Sequence, residues 1–383
     1  MANWSSLPSY LVNRIADRIL ATDDLDYYMD LRTVCRGWRS STADPKSRPR
    51  DTRFRPRQWA MLDEVHQSDA RLFVNAGTGR FVRRDLPLLR RYNVVASAAG
   101  GLVVLAERSF PHAARVLNPF AGAMISFGAP VPCLCDAAAH VIGGSLPTLI
   151  LLPNDSRTVY WANSGSKRFR HYKRPHAARM QRPLARLANE CSVYAAAREG
   201  GPLESFFVPV ASKVLDLAAT HFAKYFTGSA VGLAGKKRCY HVESAGEMLV
   251  VFKLPRRVDV FKIDTGRGLL ERVNNLGSRA LFLGDCKCLS VDADKFASVE
   301  ANCIYYVVEE LSYGFDVFVY SLKDRTEVRA GPAIDSIYPN TLSAGPPFSE
   351  VQLLCCYTYE NGLTPGFFGE LAWLASEVFE LGH

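Results

Sequence analysis

Apolar side chains recur along this chain at two different periods, and the change from one to the other divides it. Between Leu7 and about Ser41 the spacing is helical. Leu11, Ile15 and Ile19 fall four residues apart, with Pro8 suited to a first turn behind Ser5 and Ser6, so an amphipathic helix is expected there. After the break at ATDD, whose Thr22 and Asp23 are candidate N-caps, Leu25, Tyr28, Leu31, Cys35 and Trp38 recur at three- and four-residue intervals. They predict one more helix or two short ones, giving a small all-α module over residues 1–44. Three short helices bury too little apolar surface to be very stable alone, so part of their apolar face is expected to await a partner.

The following stretch, ADPKSRPRDTRFRPRQW, is rich in Pro and Arg and has neither period; residues 45–66 read as a basic linker. From residue 67 to about 345 the period becomes two, in short β-branched and aromatic runs separated by Gly, Asn, Asp and Ser. NVVASAAGGLVVLA places two apolar runs around Gly-Gly, a hairpin signal. RLFVNAGTGRFVRR, ARVLNPFAGAMISF, TVYWANSGSKRFRHY, DVFKIDTGRGLLERV and DVFVYSLKDRTEVRA repeat the plan of strand, polar turn and strand. Asn75, Asn118 and Asn163 open three of these turns, 43 and 45 residues apart, a spacing that fits propeller blades. A large all-β domain is therefore expected, a β-propeller by preference and a sandwich or barrel as the alternative. In the C-terminal segment, 346–383, Leu371, Leu374, Val378 and Leu381 return to helical spacing and predict a terminal amphipathic helix.

Composition adds bounds to this outline. Of 383 residues, 48% are hydrophobic and 22% charged, the balance of a chain that folds. Lys and Arg number 46 against 38 Asp and Glu, a net charge of +8, which favours acidic partners yet falls short of the bias of a dedicated nucleic-acid binder. MANWSSLPSYL has neither a positive leader nor a long apolar run, so no signal peptide and an intracellular location, cytoplasmic or nuclear, are expected. The most apolar window, LPTLILLP at 146–153, is much shorter than the ~20 residues that span a bilayer, and no membrane partner is expected. The ten cysteines read as small apolar side chains of a reducing compartment.

Candidate chemistry is sparse. In TVCRGWR at 33–39, Cys35 lies on the apolar stripe with Leu31 and Trp38, and the nearest histidine in sequence is His66, so it lacks the adjacent base that a thiol nucleophile requires. Cys133/Cys135, Cys286/Cys288 and Cys355/Cys356 lack zinc-ligand spacing; Cys286 and Cys288 read as inward-facing core residues of a strand. GLAGKKR at 232–238 fails as a phosphate loop, having Ala230 and Lys237 where Gly and Ser or Thr are needed, and GTGR at 77–80 falls in a hairpin turn. No catalytic residue, metal or cofactor is expected, and the chain reads as a non-enzyme. One charge cluster stands out, KRFRHYKRPHAARMQRPLAR at 167–186. Its Lys167, Arg168, Lys173, Arg174 and Arg179 are candidates for an acidic partner, with single-stranded nucleic acid or a solvated hairpin edge as the alternatives.

The N-terminal residues carry a resemblance. Leu7-Pro8, the Leu11/Ile15/Ile19 spacing, Asp23-Asp24-Leu25 and Val34-Cys35-Arg36-x-Trp38-Arg39 resemble the F-box, a helical module that docks to the Skp adaptor and through it to a cullin scaffold and a RING-type ubiquitin ligase core. The β region resembles the KIB-type propeller of plant F-box proteins in VVASAAGGLVVLA, LNPFAGAMISF, CYHVESAGEMLVVF, NNLGSRALFLGD, LSVDADKF and ANCIYYVVEE, although Leu270 stands where relatives carry Trp. The resemblance implies a substrate-recognition subunit of an SCF-type ligase that holds an unidentified target protein for ubiquitination. It implies that Leu7, Pro8, Leu11, Ile15, Leu25, Val34 and Trp38 contact or support the adaptor, with Ile19 and Cys35 filling the module's own core. The alternative is an interaction propeller, nucleic-acid-binding through 167–186, whose F-box is degenerate.

Overall fold

Element by element, the two periods become two kinds of structure. The computed structural model describes residues 4–62, 69–98, 100–132, 137–143, 146–153, 158–173, 192–194, 196, 238–254, 257–264, 269–284, 287–310, 314–333 and 348–359. Within them, helices α1 (Ser9–Leu20), α2 (Leu25–Thr33) and α3 (Arg36–Ser41) precede an all-β region. The α2 N-cap is Asp24, whose Oδ1 accepts from the Asp26 and Tyr27 amides at 3.1 and 3.2 Å, so neither Thr22 nor Asp23 fills that role. Thr22 instead donates its hydroxyl to the Ile19 carbonyl at the end of α1, and Asp23 adopts a left-handed turn conformation with φ 55°. Cys35 caps α3: its Sγ accepts from the Trp38 amide at 3.4 Å, which gives the Cys-x-x-Trp spacing of TVCRGWR a structural role.

The β region contains a three-stranded sheet of β1 (Trp59–Leu62), β2 (Ala70–Asn75) and β3 (Phe81–Asp85). Next come two four-stranded meanders, β4 (Tyr92–Ala98), β5 (Leu102–Glu107), β6 (Ala113–Asn118), β7 (Ala123–Pro130) and β8 (Ala137–Ile142), β9 (Thr148–Pro153), β10 (Thr158–Asn163), β11 (Arg170–Lys173). Their inner strands β4 and β8 run parallel and meet at Ala98 and Ala139. A third meander comprises β12 (Arg238–Ser244), β13 (Glu247–Leu254), β14 (Arg257–Asp264) and β15 (Leu269–Val273). The last sheet, in the order β17-β16-β18-β19-β20, is built from β16 (Arg279–Leu283), β17 (Cys288–Asp292), β18 (Cys303–Glu310), β19 (Gly314–Ser321) and β20 (Thr326–Pro332).

Among the described residues, the sheets pack face to face at several junctions. Val104, Val116 and Phe127 of the β4–β7 meander meet Val141, Leu149 and Leu151 of the β8–β11 meander. Tyr240, Val251 and Val260 meet Leu281, Ile304 and Tyr306 of the last sheet. The last sheet then packs on the first: Phe282 and Tyr305 share a core with Ala60, Leu62 and Val74, and Phe81 meets Phe296 edge to face at 6.3 Å. The ends of the chain's β region thus adjoin, as they do in a β-propeller. A short helix, α4 (Glu350–Tyr359), seals this junction, burying Val351, Leu354 and Cys355 against both sheets.

The three asparagines mark equivalent turns. Asn75 Oδ1 accepts from the Gly77 and Thr78 amides, Asn118 Oδ1 from Phe120 and Ala121, and Asn163 Oδ1 from Gly165 and the Ser166 hydroxyl, each within 3.2 Å. Such a side chain mimics a backbone turn and is why Asn recurs there. Asn118 and Asn163 close the third strands of their meanders, so β1–β3 correspond to the second to fourth strands of a blade.

Two expectations change. The segment assigned to a linker is fastened where it is described. Phe54 is buried, its carbonyl accepts from Asn118 Nδ2 at 2.6 Å, Arg55 donates to the Val141 carbonyl at 2.8 Å, and β1 already belongs to the first sheet. The β domain therefore begins at Trp59 rather than 67. The amphipathic helix expected over 369–381 lies outside the described residues, whereas α4, apolar on most sides because it is sandwiched between sheets, shows no amphipathic stripe for sequence reading to find.

Candidate functional site

Helix α1 sets the exposure of the N-terminal module. It turns Val12 and Ala16 inward, with Ile19 and Leu20 beside them, so the Leu11/Ile15 stripe lies at the flank rather than in the core. The module sits on the β domain through Leu25, Tyr28 and Leu31, which share one apolar cluster with Phe54, Trp59, Phe73 and Phe120. At the rim of this cluster lies a charge network. Arg80, in the β2–β3 turn, donates to Asp24 at 3.0 Å and to Asp26 at 2.8 Å, and Arg84 of β3 also donates to Asp26. Burial lowers the Arg84 pKa, and its guanidinium is ion-paired with the Asp26 carboxylate. Neither Nε has a hydrogen-bond partner; instead the Arg80 guanidinium lies 4.0 Å over the Tyr27 ring and that of Arg84 lies 5.0 Å over Phe120.

The residues singled out for adaptor contact therefore divide. Leu25, 1% exposed, is core between module and β domain and supports the surface from beneath. Ile15 and Val34 are exposed, 37% and 58%, and Tyr10 on α1, which sequence reading passed over, is 64% exposed. Pro8 is exposed at the N-cap of α1, while Leu7, Leu11 and Trp38 are half-buried. Two hydrogen bonds draw α1 and the turn before it to α3: Ser41 Oγ to Ser9 Oγ at 3.1 Å and Trp38 Nε1 to the Trp4 carbonyl at 3.2 Å. Inside the module the buried Arg32 donates to the Thr42 and Ala43 carbonyls at 2.7 and 2.8 Å, pinning the end of α2 to the residues after α3. Sequence reading missed Arg32, since an arginine in a helix pattern looks like any solvated cation.

Of the basic segment, Lys167 and Arg168 are exposed in the β10–β11 turn and Lys173 is exposed at the end of β11; Arg174 and Arg179 lie outside the described residues. Among the described residues β11 is the edge of its sheet, where cations also discourage edge-to-edge pairing. The thiols face inward in the last sheet and α4. Burial and the nearby Glu300 push Cys303 to about 11, and burial pushes Cys355 higher still. Cys288 is half-buried in β17, its Sγ 3.6 Å from the Gly284 carbonyl, while Cys133, Cys135 and Cys286 lie outside the described residues. Among the described residues no group of three or more His, Cys, Asp and Glu side chains is placed to hold a metal ion, and no helix is long and apolar enough to cross a membrane.

A helical module seated on successive β-sheets, the first and last of which share a core, is the arrangement of a β-propeller, a scaffold consistent with a protein-interaction module. The chain matches the model of the KIB1-4 beta-propeller family over residues 73–321, and it belongs to that family. The match runs from β2 to the end of β19, leaving the helices, β1 and β20 outside it. No curated protein matches the chain.

Proposed function

We propose that this protein is the substrate-recognition subunit of a cullin-RING ubiquitin ligase, its helices docking to a Skp adaptor and its propeller holding a target protein. The observation that carries the proposal is the orientation of the helical module: its inner face is committed to the propeller while Tyr10, Ile15 and Val34 remain outside. An exposed aromatic such as Tyr10 is of the kind that dominates the energy of protein interfaces, and exposed aliphatic neighbours add apolar area to bury. The mechanism is proximity. Holding a target beside the ligase raises its effective concentration at an active site that belongs to another protein, so this chain performs no covalent step. The exposed Lys167, Arg168 and Lys173 favour an acidic target surface by steering its approach.

The test is titration of the full chain with purified Skp adaptor. An Ile15→Asp, Val34→Asp double variant changes exposed positions only, so its melting temperature should match wild type while adaptor affinity falls at least ~30-fold, about 2 kcal/mol. A folded wild-type protein that does not bind the adaptor overturns the proposal.

A further inference from the structure

All three N-terminal helices lean on one apolar cluster, and most of that cluster belongs to the strap and the propeller. Every buried apolar side chain of α2, namely Leu25, Tyr28 and Leu31, enters it; Ala16, Ile19 and Leu20 join from α1, and Trp38 packs on it from α3. The opposing wall is Phe54 of the strap, Trp59 of β1, Phe73 of β2 and Phe120 of the β6–β7 turn. Phe54 lies 5.5 Å from Tyr28 and Phe120 lies 4.6 Å from Trp59, ring to ring. The polar contacts follow the same plan. Asp24 and Asp26 are buried within one turn of each other, where two carboxylates repel, and the cations that offset them, Arg80 and Arg84, come from the first sheet.

Order then passes outward from α2. Tyr28 donates its hydroxyl to the Ala43 carbonyl at 2.8 Å, and Arg39 Nε of α3 donates to the Arg32 carbonyl at 3.2 Å, so α2 holds α3 and the residues after it. α3 in turn holds α1 and the turn before it, through Ser41 on Ser9 and Trp38 on Trp4. Tyr10 and Ile15 stand on α1, at the end of this chain of contacts. The helices have 12, 9 and 6 residues, and none exceeds the ~12–15 at which an isolated helix is marginal in water.

We propose that the propeller assembles this module: the helices keep their fold only while seated on the sheets, so the outer face carrying Tyr10, Ile15 and Val34 exists only on a chain whose propeller is folded beneath it. Docking is thereby conditional. A chain with an unfolded propeller, unable to hold a target, also lacks the surface that recruits the ligase. The inference rests on the docking reading above for its functional meaning, while the folding dependence it states is a property of this chain alone. An independent module clamped to the propeller differs in one respect, since it would leave its seat still folded.

Amide hydrogen exchange of the full chain, followed by mass spectrometry with no adaptor present, tests it. Phe120→Ala removes a ring from the propeller's wall and Arg80→Ala removes the cation between Asp24 and Asp26; neither residue belongs to the helices. In each variant the amides of α1, α2 and α3 are expected to exchange at least ~10-fold faster than in wild type, all three together, while β13 and β14 in the third meander keep their wild-type rates. Arg80 is part-exposed in a turn, so its variant keeps the propeller folded even where Phe120→Ala does not, as unchanged β13 and β14 would show. Helices that keep wild-type exchange in both variants are an independent unit and overturn the proposal. Acceleration confined to the first turn of α2 also overturns it, because the loss would then be local. With no adaptor in the measurement, failure here and failure of the adaptor to bind are separate results.

Discussion

Arg80 joins two parts of the chain that the sequence separates by more than fifty residues. Its guanidinium spans Asp24 and Asp26, so the carboxylate that caps α2 is also the one that ties the helices to the β2–β3 turn. Arg80→Ala should lower stability by about 2–4 kcal/mol, since it leaves the buried Asp24 without its cation, and urea unfolding would measure the loss. Arg80→Lys should restore less than half of it, because an ammonium cannot grip two carboxylates through a planar fork. Both halves of the network were visible as residue types, Asp23-Asp24-Leu25 in a helix-start motif and Arg80 at the end of GTGR. Their pairing was not, because an ion pair between distant residues leaves no period in the sequence.

At the scale of elements, local signals were read well where one short stretch satisfies itself. The Gly-Gly turn between β4 and β5 has φ 84° at Gly100 and 70° at Gly101, the left-handed values a tight hairpin needs. The two glycines are not equivalent. A Cβ at Gly100 meets open space, whereas one at Gly101 would lie 2.2 Å from the Pro56 carbonyl oxygen, where the strap from the helices enters β1. Gly100→Ala is therefore expected to cost about 1 kcal/mol, and Gly101→Ala 2 kcal/mol or more, a difference that denaturation midpoints would resolve. Helix α1 was read less well. Its period was legible, but Val12 and Ala16 face inward in place of Leu11 and Ile15, since adjacent stripes on one helix are separated by ~100° and only the surface beneath selects between them.

For the whole molecule, the deciding feature is closure. The first and last sheets share a core beneath α4, and Gly79 in the β2–β3 turn approaches the Lys295 carbonyl so closely that a Cβ would stand 2.1 Å from it. Leu354, fully buried at this seam, should cost about 2–5 kcal/mol when changed to Ala. Amide exchange should then accelerate in β1 and β18 together, because each has lost the same neighbour. Exchange confined to α4 would mean that the helix caps the seam without joining the sheets.

The sequence by itself determined the two periods, the position of the helical module before an all-β domain, the Asn-led turns and the propeller family. Each is written in residues a few positions apart, where backbone geometry and side-chain alternation act locally. Only the tertiary structure decided which helix stripe is left outside, that the basic strap and β1 belong to the propeller, and that α4 closes it. Those outcomes depend on which distant surfaces exclude water together, and contacts of that range carry no local pattern.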